Sequence, residues 1–257
     1  MLGFLDGQTT NPSLIAKNPA AAGKKFSKQE VLDFYRSIVQ QVSQLIPAGS
    51  VSIEVSGDST TTAEDMLAQA KEFFTWIPNA HIKFPTTQEG LKAAEAAVQQ
   101  GLRVNMTLVF SQQQAAAVYV ATIGALKGDV FISPFIGRLD DVGENGMDLI
   151  DNILKMYESG DGHVEVLTAS VRTLGHLLAA INLGSDIITA PFKVLKEWAD
   201  AGLSMPDKEF EYHSGNLRPI IYQPLSLEHP WQEYDISHEL TDKGVQKFSE
   251  DWSKLIK

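Results

Sequence analysis

Short apolar runs alternate with amphipathic stretches along most of the chain. Residues 51–55 (VSIEV) predict a strand, and further strands are expected at 81–84, 104–109, 130–133, 164–169 and 186–190. Between and after them, apolar positions recur at helical spacing over 62–76, 88–100, 112–123, 146–158, 173–183 and 192–201. This β-α rhythm is that of a parallel sheet. An earlier helix is predicted to carry Val31, Phe34, Ile38, Val42 and Leu45 on one face and to stop at Pro47. Ser27 with Glu30 and Thr61 with Glu64 have capping-box spacing, in which each side chain satisfies a free N–H at the other end. Gly101 and Gly184 follow helices and precede strands, as C-terminal caps do. A short first strand is expected near residues 3–5, which makes seven. After Gly202 the period is lost. Residues 203–240 are polar and rich in proline and aromatics, and the chain ends in an amphipathic helix carrying Val245, Phe248, Trp252, Leu255 and Ile256. That helix is expected to cover the barrel of its own subunit or to pack on a neighbour.

The chain has 257 residues, near the roughly 250 of a single α/β barrel, and one domain is expected over 1–257 with 203–257 as a C-terminal extension. Acidic residues outnumber basic ones by 32 to 21, a net charge of −11. That balance argues against a nucleic-acid or anionic-membrane partner. It leaves room for a phosphate, because a local pair of arginines can override the global sign. The absence of cysteine removes disulfides, thiolate metal sites and cysteine nucleophiles, and fits a reducing compartment. The first residues lack a basic, apolar leader pattern, and no stretch approaches the ~20 apolar residues of a membrane span. A soluble cytoplasmic protein is expected.

In barrels of parallel strands the chemistry gathers at the C-terminal strand ends. Those ends offer Thr9, Thr10, Asn11, Pro12 and Ser13, then Glu54, Lys83, Asn105 with Thr107, Ser133 with Arg138, and Ser170 with Arg172. Residues two apart on a strand share a face, so Asn105 and Thr107 form a same-face pair, as do Ser170 and Arg172. Lys83 lies between Ile82 and Phe84. Burial disfavours an ammonium and leaves an amine able to attack a carbonyl. The plainer alternatives are a lysine that snorkels to solvent or one paired with Glu54. Glu54 suits an acid, or a base acting through water, or a structural partner of Lys83. Arg138 and Arg172 with Ser133 and Ser170 can hold a phosphate; each arginine alone is more often an ordinary surface ion-pair partner. Asn11 suits hydroxyl recognition and also an ordinary turn before proline. The six histidines are scattered without metal-ligand spacing. No phosphate-binding glycine signature appears, and Gly57-Asp58-Ser59 reads as a turn.

Taken together these motifs resemble one family. Thr9-Thr10-Asn11-Pro12-Ser13-Leu14 resembles a signature of transaldolases, and Ile82-Lys83-Phe84-Pro85 resembles the segment around their Schiff-base lysine. Asn105-Met106-Thr107-Leu108, Ser133-Pro134-Phe135-Ile136-Gly137-Arg138 and Ala169-Ser170-Val171-Arg172 are similar to later strand motifs of the same family. Leu240-Thr241-Asp242-Lys243-Gly244 resembles smaller bacterial members. The resemblance covers essentially the whole chain, in order.

It implies a (β/α)8 TIM barrel of the class I aldolase type with no cofactor, acting on sugar phosphates in the pentose phosphate pathway, and a homo-oligomer is expected. Lys83 would form the imine, and Glu54 with Thr107 would hold a catalytic water. Asn11 and Asn105 would bind the dihydroxyacetone portion. Arg138, Ser170 and Arg172 would bind phosphate, with Ser133 and Phe135 at the substrate. Related fructose-6-phosphate aldolases typically carry Gln at the position of Glu54 and Tyr at that of Phe135, so both residues favour transfer over simple cleavage. One departure stands out. Members carry an aspartate on an earlier strand, upstream of the TTNPS motif, and this chain starts just before that motif. Asp6 corresponds to a different aspartate. The first barrel strand is therefore expected to be absent. The alternatives to a transaldolase are a fructose-6-phosphate aldolase and a catalytically impaired sugar-phosphate-binding barrel.

Overall fold

The computed structural model describes residues 3–257. Seven strands form one parallel sheet in chain order: β1 (Gly7–Thr9), β2 (Ser50–Glu54), β3 (Ala80–Pro85), β4 (Val104–Val109), β5 (Val130–Pro134), β6 (Val164–Thr168) and β7 (Ile187–Ile188). The helices are α1 (Pro12–Ala16), α2 (Lys28–Leu45), α3 (Ala63–Phe74), α4 (Gln88–Val98), α5 (Gln112–Ala121), α6 (Ile136–Asp140), α7 (Gly146–Tyr157), α8 (Leu174–Leu183), α9 (Phe192–Asp200) and α10 (Glu239–Ser253). The architecture is an α/β, TIM-barrel-like fold. β3 and β4 are buried at every position, as parallel strands covered on both faces must be.

The sheet is strongly curled. Asn105 on β4 donates to Ser52 Oγ on β2 at 3.0 Å, reaching across β3, and such a contact exists only on a concave face. Its two edges approach at Thr9 and Thr189, whose hydroxyls are 3.0 Å apart. No strand lies between β7 and β1 among the described residues, in line with the expected loss of the first strand.

Four βα turns end in a hydroxyl that caps the next helix. Thr62, Thr87, Ser111 and Thr173 each accept the backbone N–H three residues on, which satisfies a donor the helix cannot. The Ser27–Glu30 capping box forms as expected. Gly184 takes the left-handed conformation at the end of α8 and Gly101 does so beyond α4.

Three local expectations are corrected. Residues 3–5 form no strand; the first strand is β1, which pairs Gly7–Thr9 with β2. Thr62, one residue beyond the expected Thr61, caps α3, because Thr61 instead accepts the N–H of Asp58. On α2 the buried line is Val31, Tyr35, Val39 and Ser43, while Leu45 is exposed. Two adjacent apolar faces compete along that helix, and the sheet selects the one that includes the tyrosine.

After α9 the chain runs as a strap over the helical layer. Gln112 bonds both backbone groups of Gln223, Asp148 accepts from Ile220 N, and Asn152 donates to Ile220 O. Side chains thus replace the ladder partners this segment lacks. α10 then crosses the C-terminal mouth of its own barrel. Thr241 Oγ1 donates to Leu108 O at 2.9 Å, and Ser13 Oγ donates to Asp251 at 2.6 Å. The lid of the same subunit is therefore the arrangement seen.

Candidate active site

Strand register places the polar side chains on one face. Glu54 is the partner of Lys83, Lys83 of Asn105, and Thr107 of Ser133. Paired positions on parallel strands point the same way, so these residues converge inside the curl.

Lys83 is 3% exposed, and its Nζ lies 3.0 Å from Glu54 Oε2. It also donates to the carbonyl of Thr10 at 3.2 Å. Both the pairing with Glu54 and deep burial, posed above as alternatives, are present at once, and snorkelling is ruled out. Burial pushes the Glu54 carboxyl above its usual range, opposed by the charges of Lys83 and Arg138. Glu54 Oε2 faces Lys83, and the fully buried Thr107 Oγ1 has no hydrogen-bond partner among the described residues. A buried hydroxyl on the concave face is suited to hydrogen-bonding a small polar molecule.

Asn105 and Ser133 are bound to each other. Ser133 Oγ donates to Asn105 Oδ1 at 2.7 Å, and the Asn105 amide donates to Ser52. Ser133 therefore lies in the interior chain of hydroxyls, apart from the arginines with which it was grouped. Asn11 caps α1 by accepting Leu14 N at 2.8 Å, the turn role, with the rest of its amide at the mouth.

The arginines sit higher. Arg138, on α6, is held between the rings of Phe135 and Phe248, at 5.1 and 5.5 Å from their centroids. Among the described residues it makes no ion pair within 4.0 Å, and burial pulls it below its usual range, with the charge of Arg172 adding to that and Glu54 opposing it. A largely buried cation without a carboxylate in contact is suited to an anion. Arg172 contacts Asp141 at 3.0 Å and lies 3.4 Å from Ser170 Oγ. Its backbone N–H donates to His176 Nδ1, which leaves the His176 Nε2 proton for Asp140 at 3.0 Å. Gly137 lets this loop approach: a Cβ there would collide with Ser170 O and the Arg172 side chain. Arg138, Ser170 and Arg172 are thus neighbours, as expected.

Backbone strain marks the same region. Leu108 and Ser170 both have φ of 61°, a conformation costing about 1–3 kcal/mol in a residue with a side chain. Leu108 sits where the register of β4 shifts, and its carbonyl turns to meet Thr241 of α10. A cleft lined by Pro12, Glu54, Leu108, Val245 and Phe248 runs beneath α10. Gly244 brings that helix close, since a Cβ would lie 2.6 Å from Leu108 and 2.8 Å from the Arg138 guanidinium.

Sequence reasoning did not single out Leu108, Gly244, Phe248 or Tyr35 as site residues. Gly244 carried one usable signal, a glycine inside a helical pattern, which costs about 1 kcal/mol against alanine unless close packing requires it. Among the described residues no cluster of three His, Cys, Asp or Glu is placed to hold a metal ion, and no helix is long and apolar enough to cross a membrane.

Residues 2–257 match the family described as Transaldolase/Fructose-6-phosphate aldolase. A probable transaldolase of Dehalococcoides mccartyi is 35% identical over 256 residues, covering 100% of this chain and 92% of that protein. One from Alkaliphilus metalliredigens is 35% identical over 255 residues, covering 99% and 91%, and one from Brucella ovis is 36% identical over 253, covering 98% and 89%. With the motifs in order on successive strands of a curled parallel sheet, and with a match of this extent, the chain belongs to the transaldolase/fructose-6-phosphate aldolase family.

Proposed function

We propose that the protein is a transaldolase that moves a dihydroxyacetone unit from a ketose phosphate, such as sedoheptulose 7-phosphate or fructose 6-phosphate, to an aldose phosphate. The observation that carries this reading is the buried Lys83 in contact with Glu54, on the same face as the fully buried Thr107 hydroxyl. An amine, a carboxyl of raised pKa and a nearby buried hydroxyl are what imine chemistry with a water-borne proton requires.

Lys83 passes a proton to Glu54, and the freed amine adds to the C2 carbonyl; the carbinolamine hydroxyl then takes that proton back from Glu54 and leaves as water, which gives the iminium. The C3–C4 bond then breaks. Its electron pair moves into the iminium to leave an enamine, and the proton of the C4 hydroxyl passes, through a water held by Glu54 and Thr107, to the Glu54 carboxylate. The aldose phosphate departs. The enamine carbon bonds to the acceptor aldehyde, the proton returns to the new alkoxide, and hydrolysis frees Lys83.

Arg138, Arg172 and Ser170 receive the phosphate. Asn11 offers its amide N–H groups to the dihydroxyacetone hydroxyls, and Asn105 exchanges its Ser133 bond for one of them. Ser133, thus released, contacts the same unit, while Phe135 walls the pocket. Such a reaction belongs to the pentose phosphate pathway, and the cysteine-free, acidic chain suits the cytoplasm. The exposed Phe4, Leu5 and Phe192 support self-association.

Borohydride reduction with fructose 6-phosphate, followed by peptide mass mapping, tests the reading. A reduced adduct on Lys83 is expected. Lys83→Ala should lower transfer by on the order of a thousandfold or more, and undiminished transfer in that variant would exclude the mechanism. Release of free dihydroxyacetone without an acceptor would identify the cleavage reaction instead, and thermal stabilisation by sugar phosphate without turnover would identify a binder.

A further inference from the structure

The hydrogen bonds around Tyr35 contain an exchange of partners that bears on Lys83. Tyr35 lies on α2, outside the sheet, and is fully enclosed. Thr10 N–H donates to Ser52 O at 3.0 Å, continuing the β1–β2 ladder. The next rung of a parallel ladder would carry Glu54 N–H to Thr10 C=O. That rung is missing. Glu54 N–H donates instead to Tyr35 Oη at 2.9 Å, and the Thr10 carbonyl accepts Lys83 Nζ at 3.2 Å.

The proton order is determined by counting. Thr10 Oγ1 spends its single proton on Ser52 O at 2.7 Å. Its 2.6 Å contact with Tyr35 Oη must then be a donation from the phenol. Tyr35 therefore gives to Thr10 and receives from Glu54, and burial keeps the phenol protonated by raising its pKa well above the ordinary value. The ring is clamped edge-on by Phe73, Trp76 and Trp252, the last on α10. A phenylalanine would fill the same space and lose both bonds.

We infer that Tyr35 is a positioning residue for the imine-forming pair: its hydroxyl takes the place of the Thr10 carbonyl in the ladder, which releases that carbonyl to hold Lys83 beside Glu54. The inference rests on the reading of Lys83 as the imine-forming residue. Without the hydroxyl, Glu54 N–H is a buried donor with no partner, a state that is strongly disfavoured. The nearest remedy is to restore the missing rung to Thr10 C=O, which draws that carbonyl away from Lys83.

The test follows cyanoborohydride trapping of dihydroxyacetone on Lys83 as a function of pH. Trapping of the unaltered protein comes first. Its absence would remove the imine reading itself and this inference with it. With trapping established, Tyr35→Phe should react roughly tenfold more slowly, the scale of a small misplacement of a reacting group, with a displaced pH profile. Thr10→Val removes the acceptor of the same proton and should reproduce the displacement, also serving if Tyr35→Phe does not fold. Phe73→Leu loosens the packing against Tyr35 without touching its hydroxyl; it should lower thermal stability and keep the original pH profile. A Tyr35→Phe protein with the original rate and profile, or a Phe73→Leu protein with the same displacement, would overturn the role.

Discussion

The mouth of the barrel over β3 and β4 and the seam between β1 and β7 are built on opposite terms. At the mouth every strand position is buried and each strand is paired on both sides. Lys83 there meets a carboxylate and a carbonyl, Asn105 meets two serines, and α10 presses down through Thr241 and Gly244. At the seam two short edge strands face each other through one pair of threonine hydroxyls. Beside it Phe4 leans on Trp198 at 6.3 Å while remaining half exposed, and Phe192 is open to solvent. An edge normally needs pairing or a cover. The mouth tolerates buried charge and strained backbone because its surroundings are over-determined. The residues proposed for proton and imine chemistry, Glu54, Lys83 and Thr107, lie on β2 to β4, away from the seam, while Thr10 and Asn11 in the loop after β1 reach the mouth from its edge.

If the mouth is where the chemistry is concentrated, removing its carboxyl should have the largest effect. Glu54→Gln keeps the shape and a polar contact to Lys83 but loses the charge and the proton acceptor. Transfer should fall by about 10²–10⁴-fold in kcat, the range for general acid–base groups, with KM little changed. A loss confined to KM would assign Glu54 to binding and leave mouth and seam less distinct than described.

The next effect concerns the lid. Burial alone would raise the pKa of Asp251, but the hydrogen bonds from Lys247, Ser13 and Lys254 outweigh it and hold the carboxyl at about 2. A depressed carboxylate stabilises the fold above its unfolded pKa near 4, and that contribution is lost as pH falls toward 2. Its lysine partners are exposed, so screening leaves about 1 kcal/mol. Urea unfolding at pH 5 and pH 2.5 should show this dependence in the unaltered protein and a smaller one in Asp251→Asn, with faster hydrogen exchange in α10. Equal pH dependence in both would detach the lid from this carboxylate.

The smallest effect belongs to the seam. Thr189→Val removes its hydroxyl bond to Thr9 and should cost less than about 1 kcal/mol, since both groups can reach water. Native-state hydrogen exchange should already be faster in β1 and β7 than in β3 and β4. Uniform protection around the sheet would show that the seam is closed more firmly than one hydroxyl pair accounts for.

Much of this was legible in the chain. The alternation of apolar runs and amphipathic stretches located α2 to α5, α7 to α10 and every strand after the first, because burial writes a local pattern; the five-residue α6 is too short to show a period. Ser27 with Glu30 specified a cap by itself, since both partners are close in sequence. A lysine between Ile82 and Phe84 at a strand end was visible for the same reason, as was Glu54 as its partner. The failures are equally physical. Residues 3–5 look apolar enough for a strand but find no ladder partner. On α2, Phe34 and Tyr35 are adjacent apolar candidates, and only the sheet decides which turns inward. Ser133 and Ser170 look alike in sequence, each ahead of an arginine, yet the register sends one into the interior and lifts the other to the mouth.

The sequence by itself therefore determined most of the order of elements and the polar strand ends, and offered the Lys83–Glu54 pair as one alternative. These follow from local periodicity and from the two-residue repeat of a strand. Only the tertiary structure decided that α10 covers the mouth of its own barrel, that Arg138 is left between two rings without a carboxylate in contact, and that Tyr35 replaces a ladder carbonyl beside Lys83. Each of those depends on segments far apart in the chain approaching within a hydrogen bond, and no local pattern records such a meeting.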